Sequence, residues 1–294
     1  MYSKLQPNLK RPPQALPKEL EDAWFHALLA KSKSGLLTEA AVSDVVTTIR
    51  VGRRPDYSRQ GAAFTYLYYV ANFAKVLRAL NCVAASATAL RSPTLRVLDL
   101  GCGAGASSAA VIQWLHQQHR NPKVELTLVD SCIEQLELFE SLTGQWISKF
   151  STITAKTYCD GAFQFLSRSE QKFDLILASY LICEVPAEST VESTTAFLDA
   201  AQPRLVSGGA SIVIDDGGVS HSASIITNLG GFTFDYPKTR YYLGRAQQLR
   251  LSQMPKACTA EVYVNRTHNT SRIARRNARG LAARAVHISS GVTG

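Results

Sequence analysis

The sequence predicts an α/β protein with a mostly parallel sheet and an N-terminal helical cap. From residue 95 onward, short apolar runs alternate with helix-like stretches, which is typical of a parallel sheet with helices on both faces. Three helix-like stretches come before the first apolar run, and a glycine-rich turn follows it directly. These observations together define the fold class.

Length and composition limit the classes of protein to be considered. The 294 residues fit one large domain with appendages or two small domains, and 46% are hydrophobic. No apolar run approaches the roughly 20 residues of a spanning helix, and the N-terminus lacks the apolar centre of a secretory signal. The six cysteines include no CxxC pair, which argues against a zinc site. We therefore expect a cytoplasmic protein with no metal and no membrane partner.

The net charge of +9 is concentrated at the two ends of the chain. Residues 1–18 contain four basic residues and no acid, and the segment after Glu261 contains six arginines and no acid. Basic tails attract polyanions such as RNA, or they are simply solvated termini. We expect a disordered basic tail over 1–18 and a basic, flexible tail over 267–294.

The helical cap is predicted over residues 19–90. Apolar residues recur at helical spacing in it, and Thr38 is a plausible N-cap. A polar loop over 51–61 separates its second and third helices. The three predicted helices span 19–32, 37–49 and 62–80.

Five short apolar or alternating runs predict the parallel strands. A helix-like stretch follows each of the first four. Two later runs, 239–246 and 258–266, are predicted to form an antiparallel pair. The predicted parallel strands span 95–100, 124–130, 151–159, 173–181 and 210–216. The predicted intervening helices span 107–119, 133–147, 160–168 and 195–205.

The turn after the first strand has glycine at every second position, two residues beyond an acid. Glycines at this turn let the backbone approach a ligand, and the following helix offers free N–H groups. A dinucleotide site, G-x-G-x-x-G or A, is matched loosely through Ala106. The pattern acid-x-G-x-G-x-G is matched fully, by Asp99, Gly101, Gly103 and Gly105.

This region resembles the class I S-adenosylmethionine-dependent methyltransferases. The resemblance implies a Rossmann-like fold over 91–266, with a mostly parallel seven-stranded sheet and a closing antiparallel strand. It implies S-adenosyl-L-methionine as the cofactor, with Asp99 handling the methionine amino group. The segment that runs into the predicted fifth strand adds a further match, an L-x-x-G-G turn formed by Leu205, Gly208 and Gly209.

The same resemblance assigns acids at the ends of the second and third strands. Asp130 would accept the ribose hydroxyls and Asp160 would meet the adenine amino group, although an N-cap and a turn residue are the alternative interpretations. The remaining cofactor-binding residues expected in these segments are Cys102, Ser131, Gly161, Ala162 and Ser179.

The acceptor is expected to lie beside the fourth strand. The segment lacks the [N/D]-P-P-[Y/F] tetrapeptide of enzymes that methylate exocyclic base nitrogens. Ala178, Ser179, Tyr180 and Glu184 resemble a segment of the methyltransferase-like proteins of the small ribosomal subunit, whose later cysteine cluster is absent from this sequence. Tyr180, Glu184 and His221 are the candidate general bases, each with a structural alternative.

The start of the third helix is the remaining candidate site. Tyr57 and Arg59 precede strand one at a place where related enzymes contact cofactor or acceptor. The aromatic residues that follow could stack a base or line a pocket. Their helical spacing is also typical of core packing.

Three functions are compatible with these observations. An RNA methyltransferase, with ribosomal RNA as one acceptor to be considered, fits the basic ends and the ribosomal resemblance. A small-molecule methyltransferase fits the near-neutral body and the helical cap. A cofactor-binding assembly factor without turnover fits the lack of an obvious catalytic motif. The sequence leaves the oligomeric state open.

Overall fold

The computed structural model describes most of the chain between residues 16 and 216 and three short pieces beyond it. The described residues are 16–51, 53–84, 87–181, 196–197, 199–216, 246–249, 251 and 283–287.

The core of the fold is a six-stranded sheet in the order β3-β2-β1-β4-β5-β6. The first five strands run parallel, which confirms the predicted parallel sheet, and β6 runs antiparallel to β5. The strands are β1 (Thr94–Leu100), β2 (Lys123–Asp130), β3 (Ile153–Cys159), β4 (Phe173–Ser179), β5 (Leu205–Asp216) and β6 (Ala283–His287).

The register brings the ends of the central strands together. Leu100 at the end of β1 lies opposite Val129 of β2 on one side and Ala178 of β4 on the other. Residues 97–100 of β1 and 173–178 of β4 are buried, as expected for strands covered on both faces. The residues that follow these strands therefore meet at one edge of the sheet, where ligands bind in open parallel sheets.

Three helices precede the sheet, as predicted. The Thr38 side chain accepts a hydrogen bond from the Ala41 N–H, so the predicted N-cap of the second helix is confirmed. The predicted loop over 51–61 is wrong in its second half, because Asp56 caps the third helix through the Ser58 N–H and that helix starts four residues before Gly61. The helices are α1 (Lys18–Lys33), α2 (Glu39–Arg50) and α3 (Tyr57–Val83).

Helices also follow the first three strands. Helix α5 passes through a π-helical turn, Glu140–Gly144, before it continues as α6. Buried residues of α1, α3, α4 and several strands form one continuous hydrophobic cluster, so the cap and one face of the sheet share a core. The helices are α4 (Ala106–Gln117), α5 (Ile133–Phe139), α6 (Gln145–Ile147) and α7 (Ala162–Arg168).

Strand β6 lies inside the segment that was predicted to be a flexible tail. Val213 to Asp216 of β5 pair with residues 283–287, so a tail is the wrong description for these five residues. An edge strand such as β5 exposes unpaired backbone groups that another segment can satisfy. The predicted antiparallel pair over 239–246 and 258–266 lies outside the described residues apart from Ala246, and the seven-strand count remains a prediction.

None of the described helices combines the length and the apolar character needed to cross a bilayer.

Candidate active site

A cleft lies at the carboxyl ends of β1, β2 and β4, and α3 forms its opposite wall. Its volume, about 830 Å³, includes space that is open to solvent. Of the predicted residues, those that line it are Tyr57, Gly101, Cys102, Gly103, Asp130, Ser131, Asp160, Ala162, Ser179 and Tyr180. Those that are described but do not line it are Asp99, Gly105, Gly161 and Arg59.

The glycine turn needs glycine for two separate reasons. Gly101, Gly103 and Gly105 have φ angles of 63°, 52° and 84°, a left-handed region that other residues rarely adopt. A Cβ at Gly105 would also lie 2.5 Å from a ring carbon of Phe139. The first two glycines present bare backbone to the cleft, while Gly105 lets helix α5 and the π-helical turn pack behind it.

Asp130 ends β2 and faces the cleft. Its Oδ2 accepts a hydrogen bond of 2.8 Å from the Gly103 N–H, and its Oδ1 accepts one of 2.9 Å from the Cys132 N–H. Burial raises the pKa of Asp130, while these two bonds and the Arg54 charge oppose that rise. Each carboxylate oxygen keeps a lone pair for a ligand.

Asp99 lies behind the cleft wall, with only 1% of its surface exposed. Its Oδ2 accepts hydrogen bonds from the Ser108 N–H and hydroxyl, at 3.1 and 2.6 Å. Its Oδ1 is buried and has no hydrogen-bond partner among the described residues. Burial raises the pKa of Asp99 to about 7, so this carboxyl group changes its charge near neutral pH.

Asp160 follows β3 and is already engaged by protein groups. Its Oδ1 accepts a hydrogen bond from the Gly161 N–H, and its Oδ2 forms an ion pair with Arg168. These contacts fit the alternative interpretation as a turn residue, although Asp160 also lines the cleft. Gly161 has a φ of −72°, which any residue adopts.

The segment after β4 supplies the acceptor side of the cleft. Ser179 lines the cleft, and its hydroxyl has no partner among the described residues. Tyr180 has a left-handed backbone with a φ of 59°, which is unusual for a bulky residue. The other two predicted bases, Glu184 and His221, lie outside the described residues.

Helix α3 contributes the wall that the sequence interpretation largely missed. Tyr57 lines the cleft as predicted, but Arg59 does not, because two residues turn an α-helix by about 200°. Arg54 lines the cleft instead, with its guanidinium 5.7 Å from the centre of the Tyr57 ring. Tyr69 lines the cleft, in agreement with the pocket-lining role considered for the aromatic residues of this helix, whereas the cleft-lining residues Phe64, Thr65 and Asn72 were missed by the sequence interpretation.

A readable signal for this wall was present in the sequence. Thr65, Tyr69 and Asn72 follow one another at intervals of four and three, which places three polar side chains on one face of the largely apolar stretch 61–74. Gln135 of α5 was also missed; it is buried, lines the cleft, and its amide nitrogen has no partner among the described residues. A single glutamine in a helix carries no comparable signal.

Comparison with known proteins supports the family resemblance. The chain is 30% identical over 138 residues to the ribosomal RNA small subunit methyltransferase C of Shewanella loihica, over 45% of this chain. The predicted resemblance to the class I methyltransferases is confirmed. The match covers 35% of that relative, so the chain spans about a third of its length. No family model matches the chain.

Several solved structures of methyltransferases resemble parts of this chain. A methyltransferase from Clostridium acetobutylicum is 20% identical, with 57% of each chain covered and a TM-score of 0.33. An arsenic(III) methyltransferase from Chlamydomonas reinhardtii is 24% identical, with 48% of each chain covered and a TM-score of 0.32. A loganic acid methyltransferase is 15% identical, covering 55% of this chain and 56% of its own, with a TM-score of 0.40.

Proposed function

We propose that this protein is an S-adenosylmethionine-dependent methyltransferase that transfers a methyl group in line to a nitrogen or oxygen acceptor. The observation that carries the proposal is the cleft itself. Bare left-handed backbone at Gly101 and Gly103 lies next to a carboxylate, Asp130, which keeps acceptor capacity toward the cleft. The ribosomal RNA methyltransferase relative supports the same reaction class.

The residues present fit the cofactor. A ribose carries two hydroxyl donors, and Asp130 offers one spare lone pair on each oxygen. An ammonium group is stabilised by negative charge, and Asp99 lies behind the glycine turn, where its Oδ1 has no partner among the described residues. The hydroxyl of Ser179 and the amide nitrogen of Gln135 are further polar atoms without such partners. Buried polar atoms usually have partners, so this cluster is consistent with a polar ligand.

The division of labour among the residues follows from their positions. Asp130 binds the ribose, and Gly101 and Gly103 let it lie against the peptide backbone. Asp99 accepts the Ser108 bonds at the start of α4 and, when it is ionised, supplies negative charge behind the glycine turn. Asp160 and Ala162 border the adenine end. The bound cofactor supplies an activated methyl group, so the protein has mainly to align the acceptor and exclude water.

The acceptor that we favour is RNA, with ribosomal RNA as the leading case. The basic residues at both ends of the chain and the ribosomal RNA methyltransferase relative support this choice. A small-molecule acceptor is the second candidate, and the aromatic side chains of Tyr57, Phe64 and Tyr69 on the α3 wall favour it. A cofactor-binding assembly factor without turnover is the third.

The first experiment measures cofactor binding and transfer. Calorimetry with S-adenosylmethionine should detect binding that Asp130→Asn weakens, whereas Glu125→Gln on the same strand leaves it unchanged. Incubation with tritiated cofactor and separate RNA, protein and metabolite fractions then identifies the acceptor. Binding without transfer to any fraction would favour the assembly factor, and the absence of binding would refute the whole proposal.

The second experiment tests the RNA preference. Arg275, Arg276 and Arg279 are replaced together by glutamine, which removes three positive charges without shortening the chain. RNA binding should weaken and its dependence on salt should become shallower, because fewer counterions are released. The small-molecule acceptor is favoured if the protein does not bind RNA. It is also favoured if RNA binding responds neither to the triple replacement nor to the salt concentration.

A further inference from the structure

A buried lysine lies against the acceptor side of the cleft. Lys75 is on α3, and only 3% of its surface is exposed. Its ammonium group donates a hydrogen bond to the Tyr180 hydroxyl and lies 4.6 Å from the centre of the Tyr180 ring. Lysine is rarely buried to this extent unless it has a partner. The pairing joins the α3 wall to the segment after β4.

The backbone of Tyr180 is held in a conformation that its side chain disfavours. Its φ of 59° is left-handed, and its N–H donates a hydrogen bond of 2.6 Å to the carbonyl of Ile214 on β5. Bulky residues in this region are uncommon and gather at functional sites. Tyr180, which lines the cleft, is thus held both at its backbone and at its hydroxyl.

We propose that Lys75 and Tyr180 form a proton-accepting pair for the methyl acceptor, which must therefore be an O–H or N–H group. This inference rests on the proposed methyltransferase function and names the class of acceptor. Tyr180 is the catalytic residue of the pair because it faces the cleft. Lys75 is the positioning residue, and its positive charge favours the ionised form of the Tyr180 hydroxyl.

An O–H or N–H acceptor must lose its proton when it is methylated. The acceptor atom forms its bond to the methyl carbon while the sulfur–methyl bond breaks, and the electron pair of that bond stays with sulfur. The acceptor proton passes to the oxygen of ionised Tyr180, which becomes a neutral hydroxyl. Tyr180 then releases the proton to solvent, and Lys75 stays charged throughout. The methylated acceptor leaves with the same net charge that it had on arrival.

Other titratable groups share the cleft and belong in any pH titration. Tyr69 is the informative contrast, because its hydroxyl bonds to the neutral Thr143 and burial raises its pKa. Asp99 lies behind the glycine turn and changes its charge near pH 7. The remaining titratable or charged residues that line the cleft are Arg54, Tyr57, Cys102, Asp130 and Asp160.

The test follows the ultraviolet absorbance of tyrosinate as the free protein is titrated with base. The difference between the wild type and Tyr180→Phe isolates Tyr180, and that between the wild type and Tyr158→Phe isolates an exposed tyrosine as the control. We expect Tyr180 to ionise at lower pH than Tyr158. Lys75→Met should move this ionisation upward by about one pH unit or more, and Lys75→Arg should retain it.

Two results would overturn the pair. One is that Tyr180 ionises at the same pH as Tyr158 or at a higher pH. This comparison does not depend on whether any Lys75 variant folds. The other is an unchanged Tyr180 titration in a folded Lys75→Met protein. The titration needs neither cofactor nor acceptor, so it fails independently of the calorimetry that tests the proposed function. A labelled product with one more positive charge than its acceptor would also contradict the inference.

Discussion

The two walls of the cleft are built from different parts of the chain. The wall at the sheet edge consists largely of backbone, in the left-handed glycine turn that Asp130 holds by its Gly103 bond. The α3 wall consists of side chains, among them Tyr69 and Asn72, on a helix whose backbone groups pair with one another. A backbone wall depends on a few strict residue types, whereas a side-chain wall can be changed residue by residue.

The largest effect is expected at Gly105, where the backbone wall is least tolerant. Gly105→Ala should lower the free energy of unfolding by several kcal/mol, because a left-handed alanine costs about 1–2 kcal/mol and its Cβ would overlap Phe139. Gly35→Ala is the matched control, since Gly35 has a φ of 78° and a Cβ there would meet no atom within 4 Å. Urea denaturation measures both. Equal losses in the two variants would show that the overlap contributes nothing.

The second effect concerns the carboxyl group hidden behind the same wall. Between the ordinary pKa of 3.8 and about 7, folded Asp99 holds a proton that the unfolded chain has released. The free energy of unfolding should therefore fall as pH rises through this window, by a few kcal/mol in total. Asp99→Asn should remove most of that slope. The pKa of Asp130 is also raised by burial, so the Asp99→Asn protein should keep a smaller fall of unfolding free energy with rising pH.

Urea denaturation of both proteins at several pH values between 4 and 8 measures this slope. The mutation keeps an oxygen to accept the Ser108 bonds, so folding at low pH should be little affected. A wild-type protein that gained stability from pH 4 to 7 relative to Asp99→Asn would contradict the raised pKa.

The third effect concerns the affinity for the cofactor and not the stability of the fold. Asp130→Asn should weaken S-adenosylmethionine binding about 10- to 100-fold, because the amide has one acceptor atom in place of two and carries no charge. Glu125→Gln is the control, since Glu125 pairs with Lys123 elsewhere on the same strand. Calorimetry compares the three proteins. A ratio near one for Asp130→Asn would show that this wall does not bind the ribose.

These differences explain which parts were predictable from sequence. The parallel strands follow from short apolar runs, and the turn after β1 follows from glycines at alternate positions, because both patterns reflect backbone requirements. The start of α3 at Tyr57 was missed because a proline and several polar residues precede it, and their loop character masked the Asp56 cap. Strand β6 was missed because its arginine and its neighbours suggested a solvated tail.

In the site, too, some features could be predicted from the sequence and others could not. The acids at strand ends could be named from position alone, but whether an acid faces the cleft depends on the packing around it. Asp130 lines the cleft, whereas Asp99 turns toward Ser108 on α4. Contacts between distant segments, such as Lys75 with Tyr180, have no local pattern because 105 residues separate the partners.

The smallest effect is expected on the α3 wall, at the hydroxyl of Tyr69. Thr143 donates its only hydroxyl proton to the carbonyl of Ala104, so Tyr69 must donate to Thr143, at 2.7 Å. Tyr69→Phe removes one buried bond and should cost about 1 kcal/mol of unfolding free energy, with Tyr158→Phe as the exposed control. Because the Thr143 bond to Ala104 supports the glycine turn, Tyr69→Phe should also weaken cofactor binding slightly. A loss of affinity as large as that of Asp130→Asn would instead mean that the side-chain wall contacts the ligand directly and that the two walls share its binding.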